Sequence, residues 1–404
     1  MSKFLSKRSA LMKPSPILML AAKANELKAS GLDVISLTVG EPDWETFDHV
    51  KEAAIAAIRA PGKGKYTPSN GIPELRSAIA AQVSEDLGLK YDAADVTCSA
   101  GAKFVLFAAL QALCDDGDEV VIQAPFWASY TTMIELAGAK PRIAICGAST
   151  DFKLTPQILA KAIGPKTKVL LFNSPSNPTG KVYSRQDLEG VAAVLKDHPG
   201  VVVISDDIYN RLIFDGSRVA PHILHVAPEL RDRVLALNGA SKSYAMTGWR
   251  LGWAVGPREI IQAMTNYESQ SVSCATSISQ YAVVDAVKNG DAELKKVVVM
   301  LQQRRDFIMA ELAKVEGIQA HRPDGAFYVW MDVSKFLGRK TKAGKTLTNT
   351  GEMAAALLEE QLVAVVPGVE FGLEGFFRLS YALGNEKAKQ AVDRMGAFFA
   401  SLVH

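Results

Sequence analysis

Short, nearly continuous apolar runs rich in β-branched residues recur between about residues 50 and 290, at 119–123, 169–173, 201–205 and 234–238. Each is too short for a buried helix and ends in polar or turn-forming residues. Runs of this kind read as strands covered on both faces, which implies a parallel sheet with helices above and below it. Segments with helical spacing lie between them, including 103–114 and 185–196. Near residue 290 the pattern changes. A long charged helix is predicted over about 292–314, then an apolar run at 326–333, a helix near 351–361, a strand near 376–381 and a terminal helix. Polar residues with lysine and glycine at 341–348 predict a loop. The expected class is α/β: a large domain at 46–290 and a smaller α+β domain at 291–404. The segment 1–45 has no evident sheet partner of its own and is expected to join the smaller domain.

Composition narrows the classes. The chain has 404 residues, 48% hydrophobic and 22% charged, which suits a globular protein of more than one domain. A formal charge of +2 gives no strong field toward nucleic acid or an anionic membrane. Cys98, Cys114, Cys146 and Cys274 are far apart and form no CxxC pair, so reduced thiols are expected rather than a metal site or disulfides. The apolar run at 17–22 is followed at once by Lys23 and Glu26, too short and too charged for a signal or a membrane span. The expectation is a soluble cytoplasmic protein that binds neither nucleic acid nor membrane.

Four segments carry candidate chemistry, and in open α/β sheets ligands sit beyond the carboxyl ends of the strands. Lys242, in Asn238-Gly-Ala-Ser-Lys-Ser-Tyr-Ala-Met-Thr-Gly-Trp-Arg250, follows an apolar strand. Desolvation there lowers a lysine pKa and makes the amine a nucleophile or a Schiff-base former. Arg250, eight residues on, could reach an anion in the same pocket; the alternative is a surface loop with two ordinary cations. Asn173-Ser-Pro-Ser-Asn-Pro-Thr-Gly180 also follows a strand, and its prolines and glycine aim Asn177 at a fixed point or simply make a rigid turn. In Ser205-Asp-Asp-Ile-Tyr209, Asp206 closes a strand with Tyr209 three residues on. A buried carboxylate needs a partner, which a protonated ring nitrogen would supply, unless one aspartate caps the next helix. Ser99-Ala-Gly-Ala-Lys103 precedes a helix, where small residues let backbone N–H groups approach a phosphate or merely pack closely.

Taken in order, these segments resemble the class I aminotransferases of fold type I, most closely their prokaryotic aspartate aminotransferase subgroup. The matching blocks are Lys13-Pro-Ser15, Gly40-Glu-Pro-Asp43, Tyr66 through Gly71-Ile-Pro-Glu-Leu-Arg76, Gly101-Ala-Lys103, Asn177-Pro-Thr-Gly180, Ser205-Asp-Asp-Ile-Tyr209, Ser241-Lys242 through Arg250, and Arg378 in Phe377-Arg-Leu-Ser-Tyr381. They span nearly the whole chain. The resemblance implies a mostly parallel seven-stranded sheet, pyridoxal 5′-phosphate as cofactor, and a homodimer with shared active sites. It implies that Lys242 carries the cofactor, that Asp206 pairs with the pyridine nitrogen, and that Tyr209 and Asn177 bond the ring's phenolic oxygen. Trp127 resembles the aromatic that stacks on the ring. Gly101, Ala102, Lys103, Ser241 and Arg250 resemble the cofactor cradle, and Tyr66 the tyrosine that reaches the partner subunit's phosphate. Gly40 and Arg378 resemble contacts to the substrate α-carboxylate, a task suited to a bidentate guanidinium.

Two departures bear on substrate choice. Ile17 stands where the family motif usually has threonine, and Cys274-Ala275 where the subgroup commonly has Asn-Pro. The arginine that binds the distal carboxylate in animal-type aspartate aminotransferases has no counterpart at 268–276. Lys103 resembles a subgroup lysine facing that carboxylate. The implied activity is ping-pong transfer between an amino acid and a 2-oxo acid, aspartate and 2-oxoglutarate first, with an aromatic amino acid or prephenate as the alternative. C–S lysis or decarboxylation would use the same cofactor machinery. A ligand-sensing regulator would carry an N-terminal DNA-binding domain, for which the near-neutral charge and about forty residues before Gly40 give no support.

Overall fold

The computed structural model describes residues 16–403 together with Phe4, Ser6, Arg8, Ser9 and Met12, and of residues 16–18 the backbone alone. The block Lys13-Pro-Ser15 and the side chain of Ile17 therefore lie outside the described residues. The strands, in chain order, are β1 (Ile35–Ser36), β2 (Val96–Ser99), β3 (Glu119–Ala124), β4 (Lys140–Ile145), β5 (Thr167–Asn173), β6 (Val202–Asp206) and β7 (Val234–Gly239). They continue with β8 (Gly252–Val255), β9 (Gln319–His321), β10 (Tyr328–Asp332), β11 (Val363–Ala364), β12 (Val366–Pro367) and β13 (Phe376–Ser380).

One sheet has seven strands in the order β2-β8-β7-β6-β5-β3-β4. It is parallel except at β8, which runs antiparallel to both β2 and β7. Burial on both faces explains the continuous apolar runs. Along β5, Val169 and Leu171 enter one hydrophobic cluster, while Leu170 and Phe172 enter the other. Val203 and Ile204 of β6 divide in the same way. Two-residue alternation sends neighbouring side chains to opposite faces, so only apolar residues suit both. Helices cover those faces. Ala102–Leu113 packs on one of them through Val105, Leu106 and Ala109. Arg185–Lys196 covers the other, started by a capping box in which Ser184 and Asp187 satisfy each other's backbone N–H groups.

The second sheet is antiparallel, in the order β12-β13-β10-β9, and places Trp330 opposite Arg378. The helices Asp291–Leu312, Thr350–Gln361 and Asn385–Ser401 accompany it. The segment 341–348 forms no helix or strand, as its polar residues predict, beyond a single bridge at Lys340–Thr346. One expectation is corrected. The segment before Gly40 does have a sheet partner: β1 pairs in parallel with β11, Ile35 opposite Val363 and Ser36 opposite Ala364. Val34, Ile35 and Leu37 are buried there. A two-residue pairing is too short to leave a period in the sequence. The same connection sends Leu37 O to accept from Ser380 N at 2.9 Å, which fixes Gly40 beside β13.

Candidate active site

A cavity of about 350 Å³ opens beyond the carboxyl ends of β5, β6 and β7. Each of those strands delivers one functional group to it. The structure brings Gly40, Ala102, Lys103, Trp127, Asn177, Asp206, Tyr209, Ser241, Lys242, Arg250 and Arg378 to its lining, and Gly101 lies directly beneath Arg250.

Lys242 sits in the one-turn helix Ala240–Ser243 that β7 feeds. Its Nζ donates to Gly40 O. Desolvation, aided by the charges of Arg378, Arg250 and Lys103 and opposed by Glu41, lowers its pKa to about 8. Near neutral pH a useful fraction of the amine is unprotonated, as a nucleophile and proton carrier requires.

Asp206 ends β6 and is 6% exposed. Tyr130 OH donates to its Oδ2 at 2.6 Å, and the backbone N–H of Ile208 donates to Oδ1 at 3.3 Å. Burial pushes its pKa up to about 6, partly offset by those hydrogen bonds and by Lys242. Neighbouring Asp207 faces the other way, accepting from Ser205 Oγ at 2.6 Å with His222 Nε2 3.5 Å away. Of the two carboxylates, Asp206 is the one that lines the cavity.

Asn173 Oδ1 accepts from the backbone N–H of Asn177 at 2.8 Å, and Asn177 Oδ1 accepts from Arg378 Nη1 at 3.1 Å. Arg378 is 2% exposed, sandwiched between the rings of Tyr328 at 4.6 Å and Phe371 at 5.1 Å. Its Nη2 donates to Thr38 O, and its buried Nε finds no hydrogen-bond partner among the described residues. A guanidinium held this rigidly, with an N–H to spare, fits a carboxylate.

At the other end, Gly101 (φ 89°) precedes the helix Ala102–Leu113. A Cβ at Gly101, whose φ is positive, would lie 2.6 Å from Arg250 Nη2, so glycine lets the guanidinium sit close to the helix N-terminus. Gly252 permits the same closeness from below, where a Cβ would meet Ala102 N at 2.2 Å. Lys103 Nζ lies 4.8 Å from the centre of the Trp127 ring, and burial and Arg250 lower its pKa.

Tyr66 is 91% exposed and does not line this cavity in its own chain. Tyr130, Tyr328 and Thr247 were not singled out in the sequence. Tyr130 lies three residues after Trp127, one helical turn away, and the two rings meet edge to face at 5.5 Å. That spacing was the available signal. Tyr328 arrives from β10, a contact of long sequence separation that no local pattern announces.

The arrangement suits an anionic cofactor at the helix N-terminus and a carboxylate substrate at Arg378. The chain belongs to the family of class I and II aminotransferases, whose family model matches residues 32–395. It is 46% identical over 399 residues to the aspartate/prephenate aminotransferase of Cereibacter sphaeroides, covering 99% of each chain. The crystal structure of the Rhizobium meliloti aspartate aminotransferase is similar with a TM-score of 0.95 at 41% identity, covering 99% of this chain and 100% of that one. The Thermus thermophilus aspartate aminotransferase with maleate has a TM-score of 0.90 at 39% identity, with 98% and 100% covered.

This protein is an aminotransferase that depends on pyridoxal 5′-phosphate. Its residues fit that cofactor. Asp206 is a buried carboxylate with no ion pair among the described residues, a place for a ring N–H. Gly101 leaves a helix N-terminus open for a phosphate, with Arg250 above it and Lys103 alongside.

Proposed function

We propose that the chain moves the amino group of aspartate to 2-oxoglutarate by a ping-pong mechanism, with Lys242, Asp206 and Tyr209 as its catalytic residues. The observation that carries the dicarboxylic preference is Lys103. It lines the cavity, is partly desolvated, and makes no ion pair among the described residues, only its contact with the Trp127 ring. A cation in that state favours an anion, and a second substrate carboxylate can share it with the cofactor phosphate. The relatives named above as aspartate aminotransferases, and the maleate complex of one of them, support the same reading. Prephenate as a second acceptor is favoured by the likeness to the C. sphaeroides aspartate/prephenate aminotransferase and by Leu106 and Trp127, which give the cavity an apolar wall.

Lys242, Asp206, Tyr209, Asn177, Trp127, Ser241, Arg250 and the segment 101–103 would hold the cofactor. When bound, pyridoxal phosphate supplies an aldehyde carbon that exchanges amines and a ring that accepts electrons. Lys242 Nζ would hold it covalently and, as a free amine, would take the proton from the substrate α-carbon. Asp206 would hold the proton on the ring nitrogen, and Tyr130 OH donates to its carboxylate. Arg378 orients the α-carboxylate beside Gly40. A Lys103→Ala variant tests the substrate. Losing a hydrogen bond to a charged group costs about 1.5–3 kcal/mol, roughly ten- to hundredfold in kcat/KM for aspartate. Phenylalanine, which has no second carboxylate, should change much less. Equal loss for both donors would mean that the lysine serves the cofactor phosphate alone.

The domain division at 46–290 and 291–404, with 1–45 attached to the smaller part, belongs to the same proposal, as does a cytoplasmic location. So does a homodimer with shared active sites. Its support is Tyr66, which is exposed and does not line its own chain's cavity. Sedimentation should give twice the chain mass for the active species. An active monomer would refute the shared site.

A further inference from the structure

Tyr328 lies between the two sheets, against both Tyr209 and Arg378. It is 1% exposed and comes from β10, whereas Tyr209 follows β6 in the other sheet. The two hydroxyl oxygens lie 2.7 Å apart. The face of the Tyr328 ring carries the Arg378 guanidinium at 4.6 Å. A Cβ at Gly40 would lie 2.1 Å from Tyr328 Oη, so the glycine that accepts from Lys242 also leaves room for this hydroxyl.

Each hydroxyl has one proton. If Tyr209 donates its proton to Tyr328, none is left for the cofactor. If Tyr328 donates, the Tyr209 proton is free to point into the cavity. We propose that Tyr328 is a positioning residue: its hydroxyl donates to Tyr209 and turns the Tyr209 proton toward the cofactor's phenolic oxygen, while its ring supports Arg378. A donor that is itself hydrogen-bonded donates more strongly. The charged and titratable groups facing the pair are Arg378 from β13, Asp206 from β6 and Tyr130 from the helix Ser129–Leu136, with Lys242 reached through Gly40.

This inference rests on the cofactor placement proposed above, and the experiment separates the two. The probe is the absorbance of the lysine-linked cofactor in the holoenzyme, titrated against pH. Hydrogen bonds to an anionic oxygen favour its deprotonated form, so removing them raises the apparent pKa. Tyr209→Phe should raise it by about 1–2 units, and Tyr328→Phe by roughly 0.3–1 unit, the scale of one ordinary hydrogen bond. In a Tyr209→Phe background, Tyr328→Phe should add nothing, because the relay is already cut. Tyr328→Phe keeps the ring under Arg378, so KM for aspartate should stay within about threefold, whereas Tyr328→Leu should raise it by more, through loss of the cation–π contact. An unchanged pKa in Tyr328→Phe beside a shifted Tyr209→Phe would overturn the relay. So would equal Tyr328→Phe shifts in both backgrounds. No shift in Tyr209→Phe would overturn the cofactor placement itself, and the relay with it.

Discussion

Lys242→Ala is expected to keep its fold and its affinity for cofactor while losing turnover by roughly ten-thousandfold or more. Positioned acid–base catalysis alone contributes about 10²–10⁴, and the variant also loses the covalent carrier. The fold is spared because the Lys242 side chain makes one hydrogen bond, to Gly40 O, at the edge of a cavity rather than in the packed core. Cofactor affinity should be spared because other residues would hold the phosphate end: the N-terminus of Ala102–Leu113, Lys103 and Arg250. Steady-state kinetics with aspartate and 2-oxoglutarate check the first half, and a cofactor-binding titration the second. Turnover within tenfold of the parent enzyme would remove Lys242 from the mechanism.

Asp206→Ala should cost about a thousandfold in kcat, near 4 kcal/mol of transition-state stabilisation. The buried carboxylate, with a pKa raised to about 6 by desolvation, is poised for a cationic ring nitrogen, whose charge would stabilise its ionised form. Without it the ring has no partner to hold its proton, and Tyr130 OH loses its acceptor as well. Asp207→Asn is the informative comparison. Its carboxylate meets Ser205 and His222 on the far side of the strand and does not line the cavity. It should leave kcat within a few-fold. Reversal of the two results, with Asp207→Asn crippling and Asp206→Ala mild, would reassign the carboxylate.

Much of the fold and of the site is legible in the sequence alone. The apolar runs that became β5, β6 and β7 are continuous because both sheet faces are buried, so chain pattern and topology report the same fact. Their carboxyl ends located Asn177, Asp206 and Lys242, since the chemistry of a parallel sheet gathers there. Helical spacing at 185–196 matched the helix Arg185–Lys196. The rest depends on contacts between segments far apart in the chain. Pairing of β1 with β11 leaves too few residues to show a period. Tyr328 meets Tyr209 across 119 residues, and its value comes from a hydroxyl distance that composition cannot encode. The choice between Asp206 and Asp207 depended on which carboxylate lines the cavity. Tyr66 is exposed and lines no part of its own chain's cavity, so its role rests on the proposed homodimer. Ile17, on which part of the substrate argument turns, has no described side chain.

The central claim is that Lys242 is the residue that carries the cofactor. The most direct measurement is borohydride reduction of the cofactor-loaded protein, followed by proteolysis and mass spectrometry of the peptides. The account predicts one reduced-cofactor adduct per chain, on the peptide containing Ser241-Lys242, and none in Lys242→Ala. An adduct on Lys103 or any other lysine, with the Lys242 peptide unmodified, would contradict it.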